Sequence, residues 1–154
     1  MNDSSDSVKL TMHETQGCLV APIQEELSRE SALRVQRKIL ERTHSKSLKG
    51  VVIDLAGVQV IDRVLWNILA NTACMIEMLG YHSVITGLNP GVVASIIDLD
   101  LSLGKVTTAL RIEDGLKLLA STSASVVEEN SGVEEEVEEY LGKMVQEGAD
   151  IESL

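Results

Sequence analysis

The chain has 154 residues and a formal net charge of −11, with 44% apolar residues and only 2% aromatic. That length is one domain of roughly 100–200 residues with room for a tail, and the apolar share suits a buried core rather than a disordered chain. The acidic balance counts against nucleic acid, which needs Lys and Arg to neutralise phosphates, and against docking on an anionic membrane.

Residues 1–7 are polar and acidic, and read as a flexible N-terminus. They carry neither the basic start nor the apolar run of a signal peptide. No apolar stretch reaches the roughly 18 residues of a membrane span. Val8 to Met12 alternates as a half-buried strand does. Thr15-Gln16-Gly17 supplies a turn and Cys18 to Ile23 a short apolar strand, so the chain opens with a hairpin. An amphipathic helix follows, with Ser28 as N-cap. Leu27, Ala32, Leu33, Val35, Ile39 and Leu40 are its apolar stripe. Arg29, Arg34, Arg37, Lys38 and Arg42 mark its wet face.

Val51 to Leu55 is a β-branched run and reads as a buried strand. A short loop past Gly57 leads to Ile61-Asp62-Arg63. From Val64 to Leu79 a helix is predicted that is apolar almost all round, ended by Gly80. Such a helix is either deeply buried or partly covered by a partner. Val84-Ile-Thr86 is the next strand. Asn89 and Pro90 are the N-cap and first position of a helix carrying Val92, Val93, Ile96, Ile97 and Leu99. Lys105 to Thr108 is a last strand, and Ile112 to Leu119 a closing helix. The order β-β-α-β-α-β-α-β-α predicts an α/β fold with a mixed sheet flanked by helices.

Residues 121–154 hold ten acids and one base, Lys143, and so carry −9 of the −11. Residues 1–120 are nearly neutral. The tail is expected to be disordered or weakly helical, with Val133, Val137, Tyr140, Leu141, Met144 and Val145 at roughly helical spacing among glutamates.

Catalysis is not expected. Asp54, in the central strand, and Asp62 have no His or Lys close in sequence. His13, His44 and His82 lack the spacing of a metal site or triad. No G-x-S-x-G, phosphate loop or G-x-G-x-x-G occurs. No metal or cofactor is implied. Cys18 and Cys74 lie far apart in apolar surroundings and read as two buried small hydrophobes in a reducing, cytoplasmic compartment. Asp62 reads as a helix N-cap. Arg63 does not suit its place, because a cation in a first turn opposes the helix dipole.

Three segments together carry a family resemblance. They are Gly50-Val-Val-Ile-Asp-Leu55 followed by Val60-Ile61-Asp62, then Met78-Leu-Gly80, then Thr86-Gly87-Leu88-Asn89-Pro90. With the element order they resemble the STAS domain over about residues 8–120. Within it they are most similar to the small stressosome scaffold (RsbS) type, which shares the hairpin start and the step Gln24-Glu25-Glu26-Leu27. The resemblance implies a non-enzymatic signalling scaffold that forms dimers or larger assemblies. It would bind co-antagonist paralogues and sequester a switch serine/threonine kinase. In that family the loop Asp is followed by a phosphorylated Ser or Thr. Here the acceptor position is Arg63, which has no hydroxyl. Thr86 matches a second regulated threonine of the co-antagonists. Read as a residue, it is a strand-end threonine with its hydroxyl bonded locally.

Two other readings remain. A soluble anti-sigma factor antagonist is expected to carry D-S-x-G-x-G, whereas Asp62 is followed by Arg-Val-Leu-Trp. A phosphoryl-accepting receiver would use Asp54, Thr86 and Lys105. It needs an acidic pair after its first strand, and Glu25-Glu26 follows the second.

Overall fold

The computed structural model describes residues 10–122, apart from 25 and 46. Among the described residues there are five strands and four helices. They are β1 (His13–Thr15), β2 (Cys18–Pro22), α1 (Arg29–His44), β3 (Gly50–Asp54), α2 (Arg63–Met78), β4 (Ser83–Thr86), α3 (Pro90–Asp98), β5 (Thr108–Ala109) and α4 (112–122). The sheet order is β1-β2-β3-β4-β5. β1 runs antiparallel to β2, and the other neighbours are parallel. The predicted order and the mixed sheet are both found. The antiparallel hairpin at the edge departs from the wholly parallel 2-1-3-4-5 order of receiver-type folds.

Strand alternation sorts the core into two clusters. Leu19, Ala21, Val51, Ile53 and Ile85 face the larger one, which takes in Val35 and Ile39 of α1, Trp66 and Ile76 of α2, and Val92 and Ile96 of α3. Cys18, Val20, Val52 and Val84 face the other way, against Leu116 and Leu119 of α4. Three helices thus cover one face and one helix the other. Strands buried on both faces explain why β3 reads as a continuous apolar run.

Several expected boundaries shift. The first strand was expected at 8–12, of which 8 and 9 lie outside the described residues. Residues 10–12 are not strand, and pairing begins at His13. The cause is the tight turn at Gln16 and Gly17, both at positive φ (54° and 79°). A two-residue turn of that kind pairs the flanking residues directly, here Thr15 with Cys18. The last strand was expected at 105–108 and is found at Thr108–Ala109. A turn closed by the Val106 amide on the Leu103 carbonyl, with Gly104 at φ 53°, delays it.

On α1, Ala32, Val35 and Ile39 are buried, but Leu33 is exposed. It falls on the side of Arg37, one turn on. The expected N-caps hold. Ser28, Asp62 and Asn89 each accept a bond from the amide three residues on. The expectations for residues 1–7 and for most of the extension 121–154, including the helical spacing at 133–145, lie outside the described residues.

Candidate functional site

The β3–α2 and β4–α3 loops leave the same edge of the sheet, at the C-terminal ends of parallel strands. Open α/β sheets place their sites there. Two polar pairs occupy this edge.

The first pair is Asp54 with Thr86. The two residues are neighbours in the β3–β4 register. The Thr86 hydroxyl donates to Asp54 Oδ1 at 2.8 Å. Thr86 is fully buried and Asp54 nearly so. By alternation both side chains face α4, where Gly115 closes over them. A Cβ built on Gly115 would stand 2.9 Å from Thr86 Cγ2. Gly87 follows at φ 74°, and a Cβ there would stand 2.6 Å from Asp54 Oδ1. The hydroxyl of Thr86 is therefore bonded across to the next strand, not locally in sequence, and is shut away from solvent.

The second pair is Asp62 with Arg63, both exposed. The Asp62 carboxylate accepts the Leu65 amide at 2.7 Å. This is the N-cap that the sequence predicted. Arg63 opens α2 but reaches away from it, and its guanidinium donates to the Leu99 carbonyl at the end of α3. Trp66, one turn further and fully buried, donates its indole N–H to the Ser102 carbonyl at 2.9 Å. At the start of α3, the Asn89 carboxamide donates to the Val58 carbonyl while accepting the Val92 amide at 3.1 Å. Residues 58–63 thus run along α3 and are tied at both of its ends.

The links from Arg63, Trp66 and Asn89 into other segments escaped sequence reasoning. Asn89 was legible only as a cap. A bond to a carbonyl 31 or 36 residues away leaves no local pattern. These two strips also carry exposed apolar side chains: Val60, Val64, Ile97 and Leu99. Apolar groups grouped around charges on a rigid base are what a protein-binding surface needs.

The opposite end of α2 differs. Met75, Met78 and Leu79 are exposed and line an open groove with Leu40, Glu41 and His44. The apolar character of α2 is therefore explained in two parts. Leu65, Trp66, Ile68, Leu69, Ala73 and Ile76 are core, while Val64, Met75, Met78 and Leu79 are exposed.

Other candidates are not brought together. His13 lies on β1, His44 at the end of α1 and His82 before β4, all exposed. Lys105 is exposed in the turn before β5. Among the described residues no group of three or more His, Cys, Asp or Glu could hold a metal ion. No helix among them is long and apolar enough to cross a membrane. Cys18 is buried as expected, and burial pushes its thiol pKa up, with Lys49 pulling the other way. Cys74 is exposed, contrary to expectation. It is on the outer side of a helix whose apolar neighbours in sequence, Ala73 and Ile76, face inward.

Comparison with known proteins agrees with this architecture. The chain is 22% identical over 98 residues to the RsbT co-antagonist protein RsbRA of Bacillus subtilis (strain 168), a match covering 64% of this chain. The matched part spans only 36% of that relative's length. Among solved structures, a Moorella thermoacetica RsbS bearing one Ser-to-Glu substitution is similar, with a TM-score of 0.65 and 26% identity over 75% of this chain and 98% of that one. A chain from a structure of the stressosome, described as a signal integration and transduction hub, superposes with a TM-score of 0.61. It is 24% identical, over 73% of this chain and 98% of that one. The match to the STAS domain covers residues 9–114, and the chain belongs to the STAS-domain family.

Proposed function

We propose that this chain is a non-enzymatic, cytoplasmic signalling scaffold of a stressosome-like complex. It assembles with copies of itself and with co-antagonist paralogues, and holds a switch serine/threonine kinase on the surface around Asp62 and Arg63. One observation carries the reading. The start of α2 is tied to both ends of α3, and together they present Val60, Val64, Ile97 and Leu99 around Asp62 and Arg63. The similarity to RsbS and to the stressosome chain supports the assembly part.

A phosphate at the start of a helix adds about two negative charges and can break partner binding. Arg63 offers no hydroxyl for it. In this reading the chain is the constant member of its complex at that position. Partner binding is assigned to the Asp62–Arg63 end, while the sealed hydroxyl of Thr86 serves the fold.

The test is a tagged full-length chain expressed in its source. Co-purification of a STAS paralogue and a kinase in a large assembly is expected. A monomer with neither partner would overturn the reading, and capture of an anti-sigma kinase instead would move the chain to the antagonist class. With the kinase in hand, Arg63→Ser is expected to take up one phosphate by intact mass.

A further inference from the structure

We propose that Arg63 is a positioning residue for the docking surface just described. It braces the end of α3, so that Ile97 and Leu99 are held against Val60 and Val64 without any phosphorylation step. The inference rests on the docking reading for the use of this surface, but the brace itself rests on geometry.

The end of α3 shows what the brace acts on. The Asp100 amide bonds the Ile97 carbonyl at 3.1 Å, and the Leu101 amide bonds the Ile96 carbonyl at 2.9 Å. These two bonds, with Leu101 and Ile96 buried in the same cluster, form a Schellman ending. Its left-handed position is normally glycine, and here it is Asp100 at φ 49°. That conformation costs a residue with a Cβ, though less for Asp than for most, so this ending is formed but lacks the glycine that suits it best.

The two bonds satisfy Ile96 and Ile97 but not the Leu99 carbonyl, which takes the Arg63 guanidinium. A cation is unfavourable at the start of its own helix and favourable at the end of another. Arg63 is misplaced for α2 and well placed for α3. Trp66, three residues on and so on the same side of α2, fixes Ser102. Residues 99 and 102 are thus held from one helix face. A serine at 63 carries a single heavy atom beyond Cβ and falls far short of this reach. The brace belongs to the arginine.

Hydrogen–deuterium exchange on the full chain tests this with Arg63→Met and Arg63→Lys. Met keeps the stem and loses the donor, while Lys can still donate to Leu99. In Arg63→Met, amides of 99–101 are expected to exchange about two- to fivefold faster, the worth of a cation at a helix end. Those of β2 and β3 are expected to be unchanged, and Arg63→Lys is expected to restore most of the protection. Unchanged exchange at 99–101, or equal loosening of the whole body, would overturn the brace.

The same variants are then titrated with the kinase and the paralogue. Weaker binding by Arg63→Met with recovery in Arg63→Lys supports the positioning role. Equal binding by wild type and Arg63→Met, despite faster exchange, defeats it. If no partner binds even the wild type while exchange responds as expected, the docking reading falls and the brace stands.

Discussion

The two polar pairs at one edge of the sheet have opposite fates. Asp54 and Thr86 are adjacent on neighbouring strands, bonded to each other and roofed by α4. Asp62 and Arg63 are adjacent in sequence, yet they bond in different directions, one into α2 and the other across to α3. The sealed pair has satisfied its polar groups internally, as burial demands. The open pair leaves charge and neighbouring apolar side chains facing solvent. Chemistry of the same type at the same edge thus serves folding on one side and, in the function we propose, recognition on the other. What separates them is which face of the sheet α4 covers.

The largest expected effect breaks the sealed pair. Thr86→Val keeps the shape but leaves a nearly buried carboxylate without its donor, at a cost of about 1–3 kcal/mol. For a domain near 100 residues that lowers Tm by about 4–8 °C per kcal/mol. A thermal scan that matches wild type would mean that the bond contributes nothing and that the two pairs do not differ as described.

Next, at the open pair, Asp62→Ala removes a cap at a cost of about 0.5–2 kcal/mol, whereas Asp62→Asn keeps most of it. If the Asn variant is as unstable as the Ala variant in urea titration, the role of Asp62 is not capping.

A smaller effect of opposite sign is expected at Asp100. Gly tolerates its left-handed conformation, so Asp100→Gly is expected to raise stability by up to about 1 kcal/mol. A loss on that substitution would show that the Asp100 side chain matters more than its backbone.

The thiols give the last contrast. One thiol per chain, Cys74, is expected to react with an aromatic disulfide reagent under native conditions, with Cys18 following only on unfolding. The pKa of Cys18 is raised by burial above its ordinary 9.0, so the native state holds that proton more tightly than the unfolded chain. The stability this gives is complete below pH 9.0 and is lost as pH rises through the higher native value. A Cys18→Ala variant is expected to lack this alkaline component. Equal pH profiles above 9.0 would count against it.

Much of the fold was legible because it rests on local rules. Ser28, Asp62 and Asn89 announce three helix starts through a side chain that reaches only three residues along the chain. Gln16-Gly17 announces the hairpin through its turn chemistry. The errors cluster where local signals are weak. Lys105 to Thr108 alternates like a strand, but a turn at 103–106 consumes half of it. Leu33 and Cys74 read as buried from their neighbours in sequence, yet helical geometry turns both outward. In the candidate site, Asp62 was readable completely and Arg63 only as an anomaly.

The sequence by itself determined the order of elements, the caps, the STAS resemblance and the concentration of −9 of the charge in residues 121–154. These follow from patterns within a few residues or from composition. Only the tertiary structure decided that Arg63 serves α3, that Thr86 bonds Asp54 beneath Gly115, and that one end of α2 is tied while the other is open. Each of these depends on segments about 30 residues apart meeting at one sheet edge. Backbone packing sets those meetings, and no short-range pattern encodes them.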